Sequence, residues 1–128
     1  MSAWYLDTSA ALKLLLDEPE SDALAAHLAE SEPTLMSCWL LETEMRRATF
    51  RTPLSQAIVT DFLRGVDIYA MPATIFGDAG CLVGDSLGSL DALHLAVALR
   101  QRVDAILTYD ARLQRAAEAH GVPVVAPR

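Results

Sequence analysis

A chain of 128 residues with 52% hydrophobic and 21% charged residues has room for one core of ordinary size and none for a second. It carries far more apolar side chains than a disordered segment does. The formal net charge of −7 opposes a broad phosphate-binding face, which leaves a basic footprint, but is compatible with carboxylates gathered around divalent cations.

Ala3 to Leu6 is a short apolar, aromatic run that reads as a buried strand. Asp7-Thr8-Ser9 breaks it and supplies helix caps, with a short helix from Ala10 to Leu16 closed near Pro19. A second helix is expected over residues 20 to 30, then a connector or strand from Pro33 to Met36, and a helix capped by Ser37 and running to about Arg51. Pro53 is expected to start a helix covering Leu54 to Arg64, Val66 to Ala70 to form a strand, and Pro72 to open a helix reaching Leu82. Gly84 to Gly88 reads as a loop. Ser89 is expected to cap a periodic helix with Leu90, Leu93, His94, Val97 and Ala98 on one face. Ala105 to Thr108 reads as a strand, Ala111 to His120 as a helix ended by Gly121, and Val122 to Val125 as a last strand. Short apolar strands alternating with helices predict a three-layer α/β/α fold, a parallel sheet flanked by helices, in a single domain over residues 1–128. This reasoning leaves the strand order open.

Cys38 and Cys81 form no C-x-x-C pair, so two buried, reduced thiols are expected rather than a zinc or redox site. Before Asp7 there is neither a basic stretch nor a long apolar run, and no segment approaches the roughly 18 apolar residues of a membrane span. The expectation is a cytoplasmic protein without a membrane partner. Arg46, Arg47, Arg51 and Arg64 read either as a local basic surface or as ordinary solvated arginines.

In open parallel sheets ligands bind beyond the carboxyl ends of the strands. Asp7 and Asp110 each stand directly after a predicted strand, whereas Asp104 precedes one and belongs at the opposite edge. An N-cap role accounts for each of the two singly; their matching placement points to a site. On the helix after Ser37, steps of about 100° per residue put Glu44 inside the apolar arc of Leu40, Leu41, Met45 and Ala48. A buried carboxylate without a partner is costly, and a cation removes that cost. Glu42 falls outside the arc, four residues before Arg46, where a solvated ion pair explains it. Asp91 lies in the first turn of its helix, where the helix dipole favours an acid. His94 reads as a satisfied core histidine. A set of donors that is all oxygen suits magnesium, or manganese in its place, rather than zinc.

Leu6-Asp7-Thr8-Ser9-Ala10, Glu44-Met45-Arg46-Arg47-Ala48, Ser89-Leu90-Asp91-Ala92-Leu93-His94-Leu95-Ala96, Leu107-Thr108-Tyr109-Asp110 and the closing Gly121-Val122-Pro123-Val124-Val125 together resemble PIN-domain proteins. The nearest likeness is to VapC toxins of bacterial VapBC toxin–antitoxin pairs. The resemblance runs in order over essentially the whole chain, although between Pro72 and Ser89 the family pattern is loose. It implies that Asp7, Glu44, Asp91 and Asp110 form an acidic cluster holding catalytic magnesium, with Ser9 and Thr108 supporting it by hydrogen bonds. It further implies RNA as substrate, cleavage by a metal-activated water, a homodimer, and inhibition by a cognate VapB-like antitoxin. The alternatives within the family are a ribonuclease of RNA processing outside such a pair and a PIN module that only binds. An aspartyl-phosphate chemistry at Asp7 fits less well: a haloacid-dehalogenase-like site wants a second aspartate where Ser9 stands. A receiver wants a late lysine, and the sole lysine is Lys13.

Overall fold

Two short apolar runs set the centre of the fold. In a computed structural model, which describes residues 2–84 and 86–128, β1 (Ala3–Leu6) and β4 (Ala105–Leu107) lie side by side, with Tyr5 opposite Ile106 and Leu6 opposite Leu107. Between them run α1 (Thr8–Leu15), α2 (Ser21–Ser31), β2 (Thr34–Cys38), α3 (Trp39–Ala48), α4 (Gln56–Leu63), β3 (Asp67–Tyr69), α5 (Thr74–Gly80) and α6 (Ser89–Arg100). After β4 come α7 (Ala111–Ala119) and β5 (Val124–Val125). The five strands are parallel in the order β3-β2-β1-β4-β5. The chain therefore builds outward from β1 in one direction and then returns to build outward in the other. The switch between β1 and β4 is where a parallel sheet opens a crevice at its carboxyl edge.

Side chains alternate across each strand, and this alternation divides the core in two. Tyr5 and Ile106 join Ile75, Leu95, Val97 and Leu113 beneath α5, α6 and α7. Leu6 and Leu107 join Ala10, Ala11, Leu24, Leu41, Met45 and Val59 beneath α1 to α4. Among the described residues no helix is long and apolar enough to cross a membrane.

Several boundaries differ from the sequence expectation, each for a local reason. Helix α1 starts at Thr8 rather than Ala10, because the Asp7 side chain itself caps it by accepting from Ser9 N. Ser37 caps nothing. It lies in β2, where its hydroxyl donates to Leu6 O at 2.8 Å, so α3 begins two residues later at Trp39. That helix stops at Ala48 rather than near Arg51, and the Thr49 and Thr52 hydroxyls take up the Arg46 and Ala48 carbonyls beyond it.

Pro53 opens no helix; Ser55 does, accepting from Ile58 N. Pro72 likewise precedes α5, which is shorter than expected. Ser89 is inside α6, whose N-cap is Gly88 and has no side-chain bond. This helix is wedged between the sheet, α5 and α7 and buries Ala92, His94, Leu95, Ala96, Val97 and Ala98, more than one face, while Leu90 is half exposed. Gly121 follows α7 with φ +80, a left-handed conformation that suits a residue lacking Cβ. Cys38 is buried as expected; Cys81 is exposed. The described part of the 84–88 loop has neither helix nor strand, and Asp85 lies outside the described residues.

Candidate active site

Register brings the first pieces together. Asp7 N donates to Leu107 O at 3.0 Å, continuing the β1–β4 ladder one step past the strand, so Asp7 and Thr108 meet at the carboxyl edge. Asp7 is 5% exposed. Its Oδ2 accepts from Ser9 Oγ at 2.7 Å and from Thr108 Oγ1 at 2.9 Å. The two hydroxyls are themselves held, Ser9 Oγ by Tyr109 N at 2.9 Å and Thr108 Oγ1 by Asp110 N at 3.1 Å. The network locks the start of α1 to the turn leading into α7. Asp110 caps that helix, its Oδ1 accepting from Arg112 N and Leu113 N.

Glu44 enters from α3, one turn past buried Leu41 and beside buried Met45. Its Oε1 accepts from Thr8 Oγ1 at 2.9 Å and from His94 Nε2 at 2.6 Å. Burial works against its charge, but the hydrogen bond and charge of His94, the Thr8 hydroxyl and the charge of Arg51 outweigh it and hold the Glu44 pKa below the usual value. Glu42, on the other side of the helix, meets Arg46 at 4.0 Å across an i,i+4 spacing.

Asp91 completes the set from α6. Burial raises its pKa, and the charges of Asp110, Asp7 and Glu44 raise it further against the lowering effect of His94. Acids from four separate segments thus share one electrostatic neighbourhood, in which like charges disfavour one another's ionised forms. Among the described residues no three His, Cys, Asp or Glu side chains close into a ready chelating group.

His94 lies within this cluster, 1% exposed. Its Nε2 is 2.6 Å from Glu44 Oε1 and 3.9 Å from Asp7 Oδ1. Nδ1 is 2.6 Å from the Tyr5 hydroxyl, which donates to Cys38 Sγ at 3.2 Å. Burial disfavours a charged imidazole, but the acceptors Cys38 and Glu44 and the charge of Asp7 outweigh it and push the His94 pKa up to about 10; of the groups behind the ring, the Tyr5 hydroxyl is the one bonded to Nδ1.

The arginine stretch divides. Arg46 reaches Gln56 Oε1 and Thr60 Oγ1, both at 3.0 Å, and staples α3 to α4. Arg47 lies over the Phe50 ring, and Arg64 pairs with Asp61 at 3.7 Å. The charge of Arg51 reaches Glu44. An apolar depression of about 320 Å³ between α5 and α6, lined by Phe76, Leu82, Leu87 and Leu93 among others, contains none of the four acids.

Sequence reasoning did not find Tyr5, Thr8 or the partner of His94. For His94 a signal existed: it stands one turn after Asp91 on the same side of a helix.

A parallel three-layer α/β protein with acidic side chains gathered at the carboxyl edge of its central strands is thus defined. Residues 4–119 match the PIN domain family. The chain is 36% identical to Ribonuclease VapC46 of Mycobacterium tuberculosis, over 99% of each chain, and 40% identical to Ribonuclease VapC35 of the same organism, over 96% of each. Its fold is similar to a chain of VapBC2 from Rickettsia felis, a complex solved on a DNA fragment from its promoter, with a TM-score of 0.73 at 14% identity over 98% of this chain and 99% of that one. The chain belongs to the PIN domain family, among its VapC ribonucleases.

Proposed function

We propose that the protein is a magnesium-dependent endoribonuclease acting as the toxin of a type II toxin–antitoxin pair, with Asp7, Glu44, Asp91 and Asp110 as its metal-binding acids. The observation that carries this reading is the meeting of acids from separate segments: Asp7 Oδ1 and Glu44 Oε1 lie 3.9 and 2.6 Å from the same ring nitrogen of His94, and the charges of Asp110, Asp7 and Glu44 all act against that of Asp91. A divalent cation relieves that repulsion, and carboxylate oxygens are the donors that magnesium or manganese prefers. When bound, magnesium supplies Lewis-acid activation of water and neutralises charge at a scissile phosphate.

The chain's own part is positioning. Ser9 and Thr108 hold one oxygen of Asp7, Thr8 and His94 hold one oxygen of Glu44, and the α7 cap holds Asp110. The likeness to VapC ribonucleases over nearly the whole chain supports RNA as substrate, and the Rickettsia felis complex supports a VapB-like antitoxin as partner. A homodimer and a cytoplasmic location belong to the same reading, as does a single domain spanning the chain.

The test is cleavage of a mixture of ribosomal and transfer RNA in magnesium by the wild type and by Asp7→Asn. Loss of several kcal/mol of charge stabilisation at a metal site corresponds to a drop of about a hundredfold or more, with chelation of magnesium abolishing cleavage in the wild type. Full activity of a folded Asp7→Asn protein, or cleavage that survives chelation, sinks the assignment.

A further inference from the structure

Glu44 and Asp7 reach the same edge of the sheet but are not held alike. Asp7 has a short side chain, gripped by two hydroxyls that adjoin it at the ends of β1 and β4. Glu44 has one more rotatable bond, so more freedom is lost in fixing it, and it arrives from α3, in the layer that covers the opposite face of the sheet from α6. Thr8 from its own layer supplies one bond. The second comes from across the sheet, from His94 on α6.

The imidazole is itself tightly fixed. It is 1% exposed, packs edge-on to Tyr5 with ring centroids 5.7 Å apart and planes at 73°, and has Nδ1 2.6 Å from the Tyr5 hydroxyl. Tyr5 is fully buried in β1, two residues before Asp7, and its hydroxyl is further tied to Cys38 Sγ. An ordinary core histidine is satisfied by any acceptor. This one has its Nε2 on a site carboxylate and its Nδ1 on the strand that carries another.

We propose that His94 is a positioning residue: braced by Tyr5, it reaches around the end of the sheet and fixes the Glu44 carboxylate in the acidic site, so that the site is assembled from both helical layers at once. The inference rests on the reading of these acids as a divalent-cation site. Partners that orient ligating carboxylates contribute about ten- to a hundredfold to metal affinity.

The experiment measures magnesium binding to the whole protein by calorimetry, with thermal midpoints recorded alongside, for the wild type, Asp7→Asn, His94→Leu, His94→Gln, Tyr5→Phe, Glu44→Gln and the Glu44→Gln/His94→Leu pair. His94→Leu is expected to weaken magnesium binding about tenfold. His94→Gln, which keeps an N–H donor near the position of Nε2, recovers most of that loss, and Tyr5→Phe shows a smaller loss than His94→Leu. In the Glu44→Gln background His94→Leu has no further effect, because a residue acting through Glu44 is not additive with its removal. If His94→Leu does not fold, Tyr5→Phe, measured in the wild-type and the Glu44→Gln backgrounds, carries the same comparison. Unchanged or tighter magnesium binding in a folded His94→Leu protein overturns the proposal, as does an equal fold-loss in both backgrounds, which marks a packing role alone. If Asp7→Asn binds magnesium as the wild type does, the carboxylate site itself is refuted and the role of His94 falls with it.

Discussion

The two ends of the β1–β4 pair each carry an aspartate, and the two live differently. At the amino edge Asp104 is exposed and trades bonds with one neighbour: its Oδ2 accepts from Ala3 N at 2.8 Å while its own N donates to Ala3 O at 2.8 Å. At the carboxyl edge Asp7 is buried, bonded to two hydroxyls, and within the electrostatic reach of Asp91. Both acids adjoin the same two strands, so the strands do not explain the contrast. The direction of the chain does. At the carboxyl edge each parallel strand turns into a helix start, and those turns deliver Thr8, Ser9, Thr108 and Asp110 beside Asp7. The amino edge receives the ends of connections instead. The lesson is that an acid's role in this fold follows from which edge it occupies and from the polar side chains that the adjoining turns bring.

The contrast can be broken most strongly on the Asp7 side. Beyond the loss of cleavage expected for Asp7→Asn, Thr108→Val removes a buried hydroxyl that both orients Asp7 and accepts from Asp110 N. It is expected to lower magnesium affinity about tenfold and, through the unsatisfied Asp110 N–H, to cost about 1–3 kcal/mol of stability, read by calorimetric titration and by denaturant unfolding. A Thr108→Val protein that binds magnesium like the wild type would show that the Asp7 orientation does not depend on this bond.

Asp91→Asn sharpens the comparison in a different way. Burial and the neighbouring acids raise the pKa of Asp91, so the folded state disfavours its charge. Replacing that charge is expected to raise the melting temperature of the magnesium-free protein by a few degrees while shrinking the further rise that magnesium produces in the wild type. A lower melting temperature in both conditions counts against like-charge repulsion at this position. The smallest effect is expected at the other edge. Asp104→Ala loses one exposed hydrogen bond, about 1 kcal/mol or less, and leaves magnesium affinity and RNA cleavage at wild-type levels. A fall in cleavage there would remove the distinction between the two edges.

Much of the fold and of the acidic set was readable from neighbouring residues. The alternation of apolar strands and helices, the position of Asp7 and Asp110 after strands, and the separation of Glu44 from Glu42 by helical angle all depend on contacts within a few residues. Several boundaries shifted where another side chain took the capping place or left it: Asp7 itself caps α1, Ser37 bridges to Leu6 O instead of capping α3, and Ser55 rather than the proline before it starts α4. Of the two readings open for the arginines, a basic surface or ordinary solvated side chains, neighbouring residues did not decide: Arg46 and Arg64 meet polar partners on or near α4.

The sequence by itself determined the class of fold, the edge on which Asp7 and Asp110 stand, and the face from which Glu44 departs, because strand ends and helical angles follow from the local backbone. Only the tertiary structure decided the strand order that puts β1 beside β4, and only it joined His94 to Glu44 and Tyr5 across separations of 50 and 89 residues. The first contact forms when helices on opposite faces close around the end of one sheet, and the second when α6 packs on β1. Their distances depend on how every intervening element packs, which no local pattern encodes.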